Sequence, residues 1–298
     1  MSESLVGLPS ARALSRGRLA DFLALTKPRI TLLVVLTTLV GYLAAAGGAA
    51  DAALLVHTLL GTALVAGAAS ALNQVAEREA DGEMRRTARR PLPTGRLGIG
   101  EATVFGVGLA VTGALYLAAV VNPLASALAV ITAASYLLVY TPLKKVTSLA
   151  TVVGAIPGAI PPMIGWAAAR GTLGLEAWIL FGIVFFWQMP HFLAIAAIFR
   201  LDYERAGFRV LPVVDPAGAS TGRQSALYGL ALIPISLLPS LVGMAGAGYF
   251  FGALALGAGF VLFGVRLALD PSSLARARSL FRFSLAYLPL LWTALLVS

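Results

Sequence analysis

Asn73, Glu77 and Asp81 stand at i, i+4 and i+8. A helix carried through them lines three oxygen-bearing side chains along one face, roughly 6 Å apart by helical rise. Such a row suits a hard cation better than an apolar partner. Arg85, Arg86, Arg89 and Arg90 follow at once, before Pro91 and Pro93 end the helix. An acidic row followed by arginines is expected where Mg²⁺ bridges carboxylates to a phosphate that guanidinium groups also clamp. Off that face, Arg78, Glu79 and Glu83 read as a solvated helix end. Arg85 and Arg89 serve equally well as topology determinants or contacts to membrane lipid, whereas Arg86 and Arg90 read as phosphate ligands.

Other stretches carry polar groups into apolar surroundings. Lys27-Pro-Arg29 opens an apolar run. Both cations can snorkel, but Arg29 lies inside the run, where charge is costly, and is assigned to phosphate. Tyr140, Lys144 and Lys145 close another run, and one of the lysines is expected to hold a diphosphate. In Trp187-Gln-Met-Pro-His-Phe192, Gln188 and His191 lie beside a proline kink, as a substrate contact or as a satisfied intramembrane pair. His57 falls near the far end of its span and reads as interfacial. A last stretch, Arg200-Leu-Asp-Tyr-Glu-Arg, loosely mirrors the first and adds Asp202 and Tyr203, a weak internal repeat.

The elements that must position these groups follow from composition. The 298 residues are 59% apolar and 12% charged, with a mean hydropathy of +0.88. Soluble domains carry about 25% charge, so the chain reads as an all-α, polytopic membrane bundle around a central cavity. With no Cys, disulfides, thiolate nucleophiles and thiolate metal sites are excluded. Apolar runs of membrane-crossing length are expected near 28–47, 53–75, 99–120, 123–141, 149–168, 177–199, 225–245, 248–268 and 280–297. All but one of the 22 Lys and Arg then fall on one side, Arg170 being the exception. That split predicts a cytoplasmic N-terminus, a C-terminus outside, and a cavity opening to the cytoplasmic side.

The net charge of +9 therefore marks topology, and no nucleic-acid partner is expected. Residues 1–25 read as a cytoplasmic arm and 26–298 as one integral domain. No apolar core with a cleavage site follows Arg12, Arg16 and Arg18, so no signal peptide is expected. In the fifth run, Gly154, Gly158 and Gly165 permit close helix contact, and Pro157, Pro161 and Pro162 interrupt the backbone ladder.

In combination these motifs resemble a known family. Asn73-x-x-x-Glu77-x-x-x-Asp81-x-x-Met84-x-Arg86-Thr87-x-x-Arg90-Pro91-Leu92 is similar to the first aspartate-rich motif of intramembrane UbiA-type prenyltransferases, in the form of their heme O synthase branch. Tyr140-Thr-Pro-Leu-Lys-Lys, Gly158 to Trp166, Trp187 to Phe192, and Asp202-Tyr203-x-x-Ala206-Gly207 are similar to that branch too. The likeness covers residues from about 26 to 215. Glu77 stands where the family usually has Asp, and Ala206 takes the last position of the generic second D-x-x-x-D.

The resemblance implies farnesyl transfer from farnesyl diphosphate to a vinyl group of protoheme IX (heme B), with water addition. It implies Mg²⁺ on Asn73, Glu77, Asp81 and Asp202, and diphosphate on Arg29, Arg86, Arg90 and a lysine. Tyr140, Gln188, His191 and Tyr203 would line the substrates. A bacterial inner membrane and a downstream heme A synthase are also implied. The alternatives are a quinone-ring or chlorophyll-type acceptor on the same fold, and a transporter with a midplane ion site. Charge gathered at one face counts against the transporter, and a heme carrier that only binds has no need of the acidic row.

Overall fold

The computed structural model describes residues 11–298, with side chains from residue 17 onward, so the basic arm expected over 1–25, with Arg12 and Arg16, lies partly outside the described residues. Within it α1 (Ala11–Leu25) is helical. Then come α2 (Pro28–Ala46), α3 (Ala52–Ala76), a short α4 (Arg78–Glu83), α5 (Ile99–Val121), α6 (Pro123–Leu143), α7 (Ala150–Arg170) and α8 (Leu175–Ile198). Two short helices follow, α9 (Arg200–Arg205) and α10 (Leu211–Val214), and then α11 (Ala219–Leu241), α12 (Ala247–Leu269) and α13 (Leu274–Val297). Among the described residues, nine of these are long and apolar enough to cross a membrane.

The span limits differ from expectation where polar residues sit in a first turn. The seventh span begins at Ala219 and the ninth at Leu274, because Thr221, Arg223, Arg276 and Arg278 lower local hydropathy without breaking the helix. The fifth is bent, with helix over Ala150–Ala159 and again over Pro161–Arg170. Pro161 and Pro162 bring no N–H to the ladder there. In α5 and α6 the turns at Leu117–Val121 and Ser135–Tyr140 widen to π geometry.

Most spans show the bulk of their surface outward, which is what a lipid solvent requires. α7 and α8 do not: 72% and 61% of their apolar windows are buried, against 17–39% in the others. Small residues bring α7 close to its neighbours. A Cβ at Gly41 of α2 would run into the backbone carbonyl of Pro162, and one at Gly165 would meet that of Thr38. The larger core joins α8 to α11, α12 and α13 through Leu180, Ile183, Leu232, Phe260, Tyr287 and Leu291. A second core joins α2, α3, α5, α6 and α7 through Tyr42, Val65, Leu117, Leu128 and Ile164.

Candidate active site

The acidic row forms where α3 gives way to α4. Glu77 leaves helical geometry at φ −102°, ψ 12°, but the hydrogen bonds run on, from Glu77 N–H to the Asn73 carbonyl at 2.9 Å and from Asp81 N–H to that of Glu77 at 2.8 Å. The ladder therefore carries through the bend, and Asn73, Glu77 and Asp81 line one cavity of about 190 Å³. All three side chains are nearly buried, at 1%, 9% and 1% exposure. Buried carboxylates need partners, and here each has a cation. Arg90 donates to both oxygens of Asp81 at 2.8 and 2.7 Å. Lys144 meets Glu77 at 2.7 Å. Asn73 Oδ1 accepts from Lys27 Nζ at 3.0 Å and Tyr136 OH at 3.1 Å, and its amide donates to Thr141 at 3.1 Å.

Four cations, Lys27, Arg86, Arg90 and Lys144, share the lining with two carboxylates, so the cavity keeps a net positive charge for an anion. Arg86 donates to Tyr203 OH at 3.0 Å and lies 5.2 Å above its ring centre. Lys144 Nζ sits 4.4 Å from the Tyr140 ring centre. Lys27, at the mouth of α2, is pushed down to about pH 7 by burial, reinforced by the Arg90 and Lys144 charges. Phe192, Ile195, Phe208 and Val210 supply apolar wall. The cavity thus pairs an anion-binding floor with aromatic and aliphatic sides, the layout needed by a molecule with a charged head and a hydrocarbon tail.

The structure gathers most of the expected residues but not all. Asn73, Glu77, Asp81, Arg86, Arg90, Tyr140, Lys144 and Tyr203 meet at this cavity. Arg29 and Lys145 are exposed and do not line it. Lys27 lines it in place of Arg29: its left-handed backbone, φ 47°, turns the lysine inward just before Pro28 starts the helix. Asp202 was expected beside the acidic row but lines a neighbouring cavity, with Arg205 at 3.7 Å. One residue further along, Tyr203 points the other way.

Gln188 and His191, which the resemblance placed against the substrates, turn to different helices. Gln188 donates to the Ala155 carbonyl of α7 at 2.9 Å. His191 bonds Ser284 of α13 at 2.7 Å and stacks on Trp187, ring centres 5.0 Å apart. Sequence reasoning also passed over Tyr136 and Thr141. Tyr136 stands four residues before Tyr140 and eight before Lys144, on one face, and that spacing was the available signal.

Among the described residues no three His, Asp or Glu side chains cluster as metal ligands. The donors present are two carboxylates and an amide oxygen on one helix face, open to the cavity. Hard oxygen donors of this kind, with room for water and phosphate oxygens, fit Mg²⁺.

A family model described as the UbiA prenyltransferase family matches residues 34–286. The chain is 49% identical over 286 residues to a protoheme IX farnesyltransferase of Solibacter usitatus (strain Ellin6076), covering 93% of this chain and 98% of that protein. Among solved structures it is similar to a digeranylgeranylglyceryl phosphate synthase, with a TM-score of 0.80 at 18% identity over 94% of this chain and 98% of the other. A UbiA homolog from Archaeoglobus fulgidus bound to DMAPP and Mg²⁺ has a TM-score of 0.62 at 16% identity, covering 93% and 100%. At such identities the structural likeness speaks to the fold.

Proposed function

Because the chain belongs to the UbiA prenyltransferase family, we propose that it transfers the farnesyl group of farnesyl diphosphate to a vinyl carbon of protoheme IX, with addition of water, to form heme O. The observation that carries the transfer is the buried cavity in which Asn73, Glu77 and Asp81 face Lys27, Arg86, Arg90 and Lys144 beneath an aromatic wall. The acceptor is supported by the 49% identity to a protoheme IX farnesyltransferase.

In this reading Lys27, Arg86, Arg90 and Lys144 bind the diphosphate and neutralise the charge that grows as it departs. Arg90 and Lys144 then exchange their present partners, Asp81 and Glu77, for phosphate oxygens. The carboxylates so released, with Asn73, would hold Mg²⁺, which when bound supplies charge neutralisation at the leaving diphosphate. Asp202, expected as a fourth ligand, faces the neighbouring cavity.

The allylic C–O bond breaks with its electron pair going to the diphosphate. Phe192, Ile195 and Phe208 exclude water from the cation left behind. The vinyl π electrons form the new C–C bond. Water closes the porphyrin-side cation and loses a proton to solvent. The bacterial inner membrane and a cytoplasmic N-terminus complete the proposal, supported by the basic residues gathered at one end of the bundle.

Membranes expressing the chain, supplied with protoheme and farnesyl diphosphate, are expected to yield a heme heavier by one farnesyl group and one hydroxyl group. Mass spectrometry of the extracted heme reads this directly. Asp81→Asn, which removes the most buried carboxylate of the row, is expected to abolish the product. Wild-type membranes that bind a farnesyl diphosphate analogue yet modify no heme would rule out this acceptor.

A further inference from the structure

The second cavity, about 460 Å³, lies at the same end of the bundle, between α9, the start of α11 and the turn into α13. It stands back to back with the first. Arg85 lines the second and Arg86 the first, and Asp202 and Tyr203 divide in the same way. Its two carboxylates are already engaged, Asp202 with Arg205 at 3.7 Å and Asp215 with the Ser220 N–H at 2.7 Å. Arg85 and Arg200 have no hydrogen-bond or ion-pair partner among the described residues. Thr221, only 2% exposed, also lines the cavity, and its hydroxyl is buried without a partner.

Two free guanidinium groups and an unmatched hydroxyl together describe a seat for an anion. Guanidinium pairs carboxylate in planar, bidentate fashion. We propose that this cavity is the carboxylate-binding end of the acceptor subsite, where Arg85, Arg200 and Thr221 hold the propionates of the porphyrin. The inference rests on the protoheme reading above. It places the polar edge of the acceptor one wall away from the diphosphate cavity. A ring anchored there reaches toward the reacting carbon with its opposite, apolar edge.

The test titrates the purified full chain, in detergent, with ferric protoheme and separately with its dimethyl ester, which keeps the ring and lacks the charges. Arg200→Gln is expected to weaken binding of the free acid roughly tenfold, the loss of one charge-assisted contact. Affinities for the ester and for a farnesyl diphosphate analogue are expected to stay unchanged. Arg85→Gln, at an exposed position that tolerates change, is expected to act in the same direction.

Equal losses for acid and ester, or no loss for the acid in both variants, overturn the proposal. So does a result in vesicles where the variants lose only competition by phosphatidylglycerol, since the cavity is then a lipid-headgroup site. If wild-type protein binds neither porphyrin and farnesylates no heme, the acceptor reading itself has failed. If it farnesylates heme normally while Arg200→Gln treats acid and ester alike, only the propionate seat has failed.

Discussion

Lys27 shows what a single residue contributes here. It is the one non-glycine with positive φ among the described residues, at 47°, a conformation that costs about 1–2 kcal/mol. The strain turns the ammonium onto Asn73 and into a basic cavity, where burial and neighbouring charges bring it to about pH 7. With a lowered value, Lys27 is charged below pH 7 and loses its proton as pH rises through it. Diphosphate binds the charged form, so binding takes up a proton and weakens with rising pH above 7, by at most about tenfold per unit. Lys27→Arg, which stays charged throughout, should flatten that slope. Titrating a farnesyl diphosphate analogue from pH 6 to 9 on both proteins checks this, and identical slopes would exclude Lys27 as the titrating group. The acidic row was legible because spacing alone sets a helix face. The choice of Lys27 over Arg29 was not, since it depends on one backbone torsion before Pro28. Asp202 and Tyr203 divide between cavities for a similar reason, neighbours on a helix pointing about 100° apart.

At the scale of elements, the weak repeat in sequence corresponds to a shared construction. α3 and α8 each end at one residue out of helical geometry, Glu77 and Phe199, and each is followed by a six-residue helix, Arg78–Glu83 and Arg200–Arg205. The two short helices and the loop after the second meet through Ala80, Met84, Ala206 and Phe208. Met84 and Phe208 of that contact also line the cavity. The crossing of α2 with α7 sets where Lys27 stands, and it depends on the absence of side chains. Gly41→Ala would drive a methyl into the Pro162 carbonyl, with a cost of about 1–3 kcal/mol for overpacking. Gly108→Ala, where a Cβ meets nothing within 4 Å, should be neutral or slightly stabilising. Thermal unfolding of both variants in detergent measures the difference, and equal midpoints would mean that the crossing yields easily. The α7 glycines were legible as a contact signature. Gly41 was not, because one glycine in an apolar span has no spacing to betray it.

The whole bundle was legible where hydropathy and charge speak, in the number of spans and their common charged end. The centrality of α7 and α8 was hidden, for a physical reason. α7 is the most buried span yet has a hydropathy of only 1.4, whereas α5, the least buried, reaches 2.2. Lipid demands large apolar side chains, while a helix enclosed by helices needs small ones and can keep its Gly and Pro. Both cavities are lined by residues at the end where the cationic residues gather, and that arrangement bears on energy supply. The membrane potential does work of about 2.3 kcal/mol per elementary charge per 100 mV on any charge that crosses. A diphosphate that enters, reacts and leaves at one end crosses none of that field. Turnover in sealed vesicles should therefore be indifferent to an imposed potential of either sign, the chemistry driven by the diphosphate bond alone. A rate that followed the voltage would mean that charge moves through the bundle after all.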